Sequence, residues 1–361
     1  MRRVLLLLGA CLLLAGFAWP GEGDALGRRL VAPGGVSPIL PTARIDEAIT
    51  RLPHREGRVT TSAGVSLFWR AFDPGAYRLD YAYRPDGSSR GRMDFRLDFA
   101  SPGASSVTPR GTVLLLHGWM MDGGSLLPWS LQLAQAGYRT ISLDLRNHGR
   151  SGAAPSGYGT REARDVADAV AVLRAQGEII GPLHLMGVSY GAATAIFSAR
   201  ELGAQVDNVI ALESFQNAGH AIRDMVPHML HQAPETLAQQ FSHRWLRWKL
   251  DDAALEHAIA AAGDALRLPL DSVDVGAALA QVPACVLLLH GREDGHVPVA
   301  HGRALAAAAP RAHYIEVPGE DHISLPMRLD LLAPTVIDWL DNASPKRFCP
   351  PPLALADAQQ A

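Results

Sequence analysis

Cysteine is scarce in this chain, and neither charge sign is in strong excess. Three cysteines occur among 361 residues, Cys11, Cys285 and Cys349, so the sequence does not indicate a disulfide framework. A single bridge between Cys285 and Cys349 remains compatible with it. The net charge is -3, with acidic and basic residues mixed along the chain, and this pattern gives no indication of a nucleic-acid surface.

Long apolar runs are also rare, and the longest one lies at the N-terminus. Two arginines precede an apolar stretch over residues 4–19, and a polar turn follows it. This pattern is typical of an export signal over residues 1–20, with cleavage after Ala18. Two alternatives remain open: an uncleaved anchor, although the run is short for a span of ~20 residues, and lipidation at Cys11. The segment therefore predicts a protein that is exported, periplasmic or secreted, or anchored to the membrane by its N-terminus.

The length and a hydrophobic fraction of 48% suffice for one large α/β domain with an insertion, or for two smaller domains. Residues 21–41 are rich in glycine and proline and are interpreted as a linker, and residues 343–361 as a flexible tail. Residues 42–215 and 266–342 are predicted to form the core, and the helix-rich residues 216–265 a cap or lid. The large apolar side chains of this cap either bury it against the core, which we favour for most of them, or line a substrate pocket.

The order of strands and helices predicts an α/β fold with a mostly parallel central sheet flanked by helices. Between Arg58 and Phe99, segments that alternate apolar and polar residues predict antiparallel strands at the start of the sheet. Short apolar strands then alternate with helical segments, as is typical of parallel strands covered on both faces. The predicted parallel strands are Thr112–Leu116, Thr140–Leu145, Leu183–Met186, Val206–Leu212, Ala284–Leu289 and Tyr314–Val317. Ligands of such sheets bind beyond the carboxyl ends of the strands.

The stretch LHLMGVSYGAA, residues 183–193, contains a candidate nucleophile. Gly187 and Gly191 bracket Ser189 at the junction of a predicted strand and a predicted helix. Side chains two residues before and after the serine would collide with neighbouring backbone on so tight a turn, so small residues are needed there. The amide of Tyr190 starts the helix, where unpaired N–H groups and the helix dipole favour negative charge. A serine held there can attack a carbonyl group.

A serine hydroxyl is a weak nucleophile at neutral pH, so it needs a base. The candidate base is His322 in the segment GEDH, which follows the last predicted strand and precedes the last helix. The chain has 14 histidines, and this position favours His322 over His301 and His313, which we place in or beside regular elements.

The base in turn needs a carboxylate that orients it and stabilises its charged form. The candidate is Asp294 in LLLHGREDGHVP, on the loop after a predicted strand. Glu293 and Glu213 are rivals, for which we expect surface charge and local hydrogen bonding respectively.

The oxyanion formed by the attack needs preorganised donors. The backbone amide of Tyr190 is one candidate, and that of Trp119, after the first apolar strand, is the other. We interpret His117 as a structural residue that shapes this turn.

Taken together and in this order, these segments resemble the landmarks of the α/β-hydrolase fold superfamily. The resemblance covers roughly residues 111–340 and rests on TVLLLHGW, SLDLRNHGRS, MGVSYGA, LHGREDGHVP and GEDH. It implies a mostly parallel sheet with a helical cap and a triad of Ser189, Asp294 and His322. The N-terminal strands and the cap do not identify a subfamily, and fold membership does not fix a substrate.

The first functional hypothesis is a serine hydrolase that cleaves a carboxylic acyl ester through an acyl-enzyme, with no metal or organic cofactor required. Relatives with an aspartate at the nucleophile position of the Ser189 turn, here called the elbow, open epoxides or remove halogens. Serine at position 189 argues against both activities. C–C bond hydrolysis or perhydrolysis on the same triad remains open. A non-catalytic binding protein that has kept the scaffold is the alternative from another class. The sequence leaves the substrate and the oligomeric state undetermined.

Overall fold

The computed structural model describes residues 22–33, 35, 42–77, 80–84, 92–96, 107–231, 251–344 and 348–355. The predicted leader, residues 1–20, lies outside these ranges, and so does the stretch 232–250 of the predicted cap. Among the described helices, none has both the length and the apolar character needed to cross a membrane.

The strands are β1 (Arg55–Thr60), β2 (Ser66–Phe72), β3 (Asp80–Arg84), β4 (Arg92–Arg96), β5 (Thr112–Leu116), β6 (Arg139–Leu143), β7 (Leu183–Val188), β8 (Asn208–Leu212), β9 (Cys285–Gly291) and β10 (His313–Val317). The helices are α1 (Glu22–Val31), α2 (Thr42–Thr50), α3 (Leu127–Gln135), α4 (Thr160–Ala175), α5 (Tyr190–Leu202), α6 (Ala218–His231), α7 (Asp252–Leu266), α8 (Val275–Leu279), α9 (Val299–Ala308) and α10 (Leu329–Asn342).

A central sheet of eight strands organises the molecule, in the order β1-β2-β6-β5-β7-β8-β9-β10. The six strands from β6 to β10 in this order run parallel, whereas β1 and β2 are antiparallel additions at one edge. The prediction of a mostly parallel sheet flanked by helices is therefore confirmed.

The positions of β3 and β4 differ from the prediction that the antiparallel strands between Arg58 and Phe99 start the central sheet. They pair with each other in a separate two-stranded sheet and do not join the central one. Both edges of β2 are already paired, with β1 and with β6, so the chain that follows β2 finds no free edge there.

Alternation of side chains along the buried strands gives the domain a core on each face of the sheet. On β5, Leu114 and Leu116 belong to one cluster and Val113 and Leu115 to the other, and all four are fully buried. The first cluster includes apolar residues of α4 and α5, and the second includes residues of α3 and α10. Helices on both faces explain why these strands read as continuous apolar runs.

The segment predicted as a linker contains a helix that is part of the folded domain. Leu26 and Leu30 lie one turn apart on α1, both are buried in the main core cluster, and α1 packs against α7. The hydroxyl of Tyr158 also donates a hydrogen bond to the carbonyl of Leu30, at 2.7 Å. The linker prediction is therefore wrong for residues 22–31, because its glycine content masks a short amphipathic period.

The tail predicted as flexible is likewise attached where it is described. Cys349 forms a disulfide with Cys285, the first residue of β9, and the carbonyl of Cys349 lies 3.2 Å from His313 Nε2. Leu355 packs against the second core cluster. Residues 348–355 are thus held against the sheet by the bridge that the sequence left open, and residues 345–347 and 356–361 lie outside the described ranges.

Candidate active site

Ser189 lies between the end of β7 and the start of α5, in a backbone conformation that few non-glycine residues adopt. Its φ is 53° and its ψ is -114°. Such a conformation costs on the order of 1–3 kcal/mol and persists only where the surroundings enforce it. The amide of Ser189 donates to the carbonyl of Leu212, at 2.8 Å, which fixes the turn to the end of the neighbouring strand β8.

The two glycines around Ser189 are required by close backbone contacts. A Cβ atom at Gly187 would lie 2.1 Å from the carbonyl oxygen of Gly191, and one at Gly191 would lie 2.1 Å from the carbonyl oxygen of Leu116. No side chain fits at such distances. The spacing read from the sequence therefore reflects packing between β7, α5 and β5.

His322 lies on the loop after β10 and bridges the other two predicted site residues. Its Nε2 is 3.0 Å from Ser189 Oγ, and its Nδ1 is 2.7 Å from Asp294 Oδ2. A carboxylate only accepts, so Nδ1–H donates to Asp294 and Nε2 is left to accept from the serine hydroxyl. The three side chains predicted from sequence form one continuous chain of hydrogen bonds.

Asp294 is held as a carboxylate although it is buried. Burial opposes its ionisation, but the neighbouring imidazole of His322 and a contact with His290 together hold the pKa of Asp294 well below its usual range. Its second oxygen, Oδ1, accepts from the amides of His296 and Val297, at 2.9 and 2.8 Å. These donors fix the carboxylate in the plane it needs to face His322.

The turn that carries the amide of Trp119 lies beside the serine. A Cβ atom at Gly118 would lie 3.7 Å from Ser189 Cβ, which places residues 118 and 119 next to the elbow. The indole of Trp119 stacks on the ring of Tyr158, with centroids 5.5 Å apart, and meets the ring of Tyr190 edge-on at 5.0 Å. Tyr190 is the first residue of α5, so its amide has no acceptor within the helix.

His117 shapes this turn, as the sequence interpretation holds. Its Nε2 accepts from the amide of Leu145, at 3.0 Å, and its Nδ1 lies 2.8 Å from the carbonyl oxygen of Gly118. Both ring nitrogens are therefore occupied by backbone groups, and burial lowers the pKa of His117 to about 4. The side chain is a neutral strut under the turn.

Glu213 lies beside His322. It follows β8, its side chain is fully buried, and its Oε2 lies 3.6 Å from His322 Nδ1. Neither carboxyl oxygen has a side-chain hydrogen-bond partner among the described residues, and the backbone of Gly291 is the local group that interacts with the carboxyl. Burial and then the charge of Asp294 raise the pKa of Glu213 well above its usual range, against the lowering effect of a hydrogen bond with the backbone of Gly291.

Two histidines that sequence reasoning did not single out complete the surroundings of His322. The ring of His296 lies on that of His322, with centroids 5.4 Å apart and planes 28° apart. His228, from α6, packs edge-on against His296, with centroids 5.1 Å apart. A Cβ atom at Gly295 would fall 2.1 Å from the His228 ring, so glycine makes room for this contact. The only sequence feature that points to His296 as a neighbour of His322 is its position two residues after Asp294.

The remaining rivals lie elsewhere. Glu293 is exposed, and its carboxylate accepts from the amide of Gly319, at 2.7 Å. His301 Nε2 lies 3.0 Å from Asp224 Oδ2, and the ring of His313 meets that of Trp339 edge-on.

Ligand atoms of Glu213, Asp294 and His322 lie within 4.8 Å of one another, a grouping that can hold a cation in principle. The 2.7 Å contact between Asp294 Oδ2 and His322 Nδ1 is a hydrogen bond, however, and its proton occupies the space between the two ligand atoms. The geometry fits a hydrogen-bonded acid and base better than a metal site.

Comparison with known proteins agrees with this architecture. Residues 113–334 match the family model described as alpha/beta hydrolase family. The AB hydrolase superfamily protein YisY of Bacillus subtilis (strain 168) is 28% identical over 234 residues, which cover 58% of this chain and 84% of that protein. The 2-hydroxy-6-oxo-6-phenylhexa-2,4-dienoate hydrolase of Burkholderia cepacia is 24% identical over 282 residues, which cover 71% of this chain and 94% of the relative.

Among solved structures, the esterase Pf2001 of Pyrococcus furiosus is similar in fold, with a TM-score of 0.58 at 15% identity. The match covers 87% of this chain and 99% of the esterase chain. Since the family model spans more than half of the sequence, the chain belongs to the alpha/beta hydrolase family.

Proposed function

We propose that this chain is a serine hydrolase that cleaves a carboxylic ester through an acyl-enzyme on Ser189. The observation that carries the proposal is the pair of hydrogen bonds made by His322, 3.0 Å to Ser189 Oγ and 2.7 Å to Asp294 Oδ2. Serine, histidine and a carboxylate in this arrangement are the parts that acyl transfer requires.

In the acylation step, Nε2 of His322 takes the proton of Ser189 Oγ as this oxygen attacks the ester carbonyl. The imidazolium that forms donates its Nδ1–H to Asp294, which remains ionised throughout. The same Nε2 proton then goes to the leaving alcohol as the C–O bond breaks. In deacylation, His322 takes a proton from water, the hydroxide attacks the acyl carbonyl, and Ser189 recovers its proton as the acid leaves.

The negative oxygen formed in each step needs donors that are already in place. In this proposal the amides of Trp119 and Tyr190 supply them, one from the turn beside Ser189 and one from the start of α5. Losing one such donor typically costs about 3 kcal/mol of transition-state stabilisation. The stacking of Trp119 on Tyr158 supports the turn, because it fixes the indole ring of the residue whose amide is the donor.

Labelling with a fluorophosphonate probe, combined with hydrolysis of p-nitrophenyl esters of varied acyl length, tests this function. Ser189→Ala should abolish both signals, and the matched control Ser272→Ala, at an exposed serine, should keep both. A folded wild-type protein that neither labels nor hydrolyses any ester of the panel would point to a binding role on the same scaffold.

Cleavage of a C–C bond on the same three residues is the second candidate. It is favoured by the similarity to the Burkholderia cepacia relative, whose name states hydrolysis of a 2-hydroxy-6-oxo-dienoate. Water would then lose a proton to His322 and attack a ketone carbonyl, and as the C–C bond breaks the departing carbon, in place of an alcohol oxygen, would take up a proton from His322. Turnover of such a dienoate at a higher kcat/KM than any ester of the panel would assign the chain to this class.

We further propose that residues 216–265 form a cap and that the chain is exported or anchored through residues 1–20. The contact of His228, on α6, with His296 supports the first proposal, because it places α6 against the loop of Asp294. The disulfide between Cys285 and Cys349 supports the second, since such bonds persist in oxidising compartments. The mass of the mature N-terminus from an exporting host distinguishes cleavage near Ala18, lipidation at Cys11 and retention of an anchor.

A further inference from the structure

Glu213 is a carboxylic acid beside His322 that takes no part in the proposed ester hydrolysis. It follows β8 as Asp294 follows β9, and because these parallel strands are neighbours, both carboxyl groups reach the same end of the sheet. Asp294 Oδ2 lies 2.7 Å from His322 Nδ1, and Glu213 Oε2 lies 3.6 Å from the same atom. The two acids are rivals for a single N–H donor.

The surroundings of Glu213 are unfavourable for a carboxyl group that has only a structural role. Its side chain is fully buried, and neither oxygen has a side-chain hydrogen-bond partner among the described residues. Burying a carboxyl group that lacks a side-chain partner costs free energy that an apolar residue would avoid. Its φ of 56° adds backbone strain. Nδ1–H of His322, 3.6 Å away, is a side-chain donor at close range that an ionised Glu213 would complement.

We propose that Glu213 is a positioning residue for His322, a second carboxyl group that can accept its Nδ1–H and hold the imidazole toward Ser189 when Asp294 cannot. The inference rests on the proposed role of His322 as the base and deepens it.

The charges around Glu213 explain why Asp294, and not Glu213, accepts the Nδ1–H of His322 in the wild type. Asp294, Asp321 and Glu320 face it from the loops after β9 and β10, and together with burial they favour the neutral acid. Asp294, in contrast, is ionised and receives the Nδ1–H of His322. Removing the carboxylate of Asp294 removes the strongest of these like charges, and Glu213 can then ionise. A shift of less than about 1 Å brings Nδ1–H within hydrogen-bond distance of it.

The test compares kcat/KM for ester hydrolysis in Asp294→Ala with that in Asp294→Ala/Glu213→Gln. We expect the single variant to be at least about tenfold more active than the double variant, since an orienting carboxylate is worth up to ~10⁴-fold in such triads. The matched control is Asp294→Ala/Glu293→Gln, which changes the adjacent exposed carboxyl and should match the single variant.

A pH profile distinguishes positioning from mere packing. In Asp294→Ala, kcat/KM should rise with pH as Glu213 ionises, and this rise should be absent from the double variant. Equal activity and equal profiles in the two variants would overturn the inference. If the wild type hydrolyses esters and the two variants do not differ, Glu213 fails while the proposed function stands.

Two measurements do not depend on turnover. The Nδ1 proton of His322, followed by NMR, should remain hydrogen-bonded in Asp294→Ala at alkaline pH and be lost in the double variant, and its loss in both would contradict the proposal. If Asp294→Ala does not fold, infrared spectra of wild type and Glu213→Gln decide. The wild type should show a carbonyl-stretch band of a protonated carboxyl group at neutral pH that is missing from Glu213→Gln in the difference spectrum, and identical spectra would overturn the inference.

Discussion

The ring of His296 covers that of His322, with centroids 5.4 Å apart and planes 28° apart. Burial, and then the neighbouring His322, lower the pKa of His296 to about 4, so the covering ring is neutral at neutral pH. In the proposed mechanism, a neutral ring at this position shields His322 from water without repelling its charged form.

A permanent cation at position 296 should therefore slow the reaction. We expect His296→Lys to lower kcat/KM about tenfold, the equivalent of roughly 1.4 kcal/mol of repulsion in the transition state. The neutral variant His296→Gln should lose less than about threefold, since a close like charge is what disfavours the charged base. Steady-state kinetics of both variants on one ester provide the measurement, and equal losses would show that only the ring shape matters.

Substitutions at the glycines beside Ser189 should lower the free energy of unfolding. Gly187→Ala places a Cβ atom 2.1 Å from a carbonyl oxygen, and we expect it to lower the free energy of unfolding by about 3 kcal/mol or more, because only backbone movement relieves such a contact. Gly27→Ala in α1 meets its nearest atom at 3.7 Å and should instead stabilise by about 0.5–1 kcal/mol through helix propensity. Urea denaturation of the two variants checks both signs, and a stable Gly187→Ala protein would refute the contact.

The disulfide should matter for stability and not for turnover. It joins residues 64 positions apart, so Cys349→Ser should lower the free energy of unfolding by about 2–4 kcal/mol under oxidising conditions. Thermal denaturation with and without dithiothreitol provides the measurement, because reductant should remove the difference between variant and wild type. A difference that persists in reductant would assign the effect to the lost packing of the Cys349 side chain.

Stability should fall in mildly acidic solution because three histidines are buried in their neutral form. Burial lowers the pKa of His117 to about 4, of His148 to about 3 and of His184 to about 4. On unfolding, each regains an ordinary pKa near 6.5 and takes up a proton below it. Their contribution is therefore fully present above about pH 6.5 and is lost as the pH falls toward the folded values.

His184→Gln isolates one of these protons. Between about pH 6 and pH 5, the variant should lose stability with a slope up to about 1.4 kcal/mol per pH unit shallower than that of the wild type. Urea unfolding at several pH values measures both slopes. Equal slopes would mean that His184 is already protonated in the folded state.

Local sequence patterns predict most of the fold and three residues of the candidate site, Ser189, Asp294 and His322. The strand predicted at Thr112–Leu116 coincides with β5, and the other parallel strands lie within two residues of their predicted ends. These elements follow from short-range constraints: strands covered on both faces must be apolar, and a tight elbow excludes large side chains. The same constraints located Ser189, whereas Asp294 and His322 were found because loops after parallel strands share one edge of the sheet.

Local sequence patterns do not predict which strands are neighbours or where helices pack. Glu213 and Glu293 are both acids near strand ends, and only the pairing of β8 with β9 places the first beside His322 and leaves the second exposed. Leu26 and Leu30 mark α1 only once α7 provides a surface to bury them. The edge-on contact of His228 with His296 likewise depends on where α6 lies, which no spacing in the sequence encodes.

The four neighbouring strands β7, β8, β9 and β10 each precede one residue of the candidate site, in the order Ser189, Glu213, Asp294 and His322. His322 follows Ser189 by 133 residues. Ribosomal synthesis therefore produces Ser189 first and His322 last. In a nascent chain Ser189 lacks its hydrogen bond to His322 until residue 322 has emerged and β10 has added to the sheet.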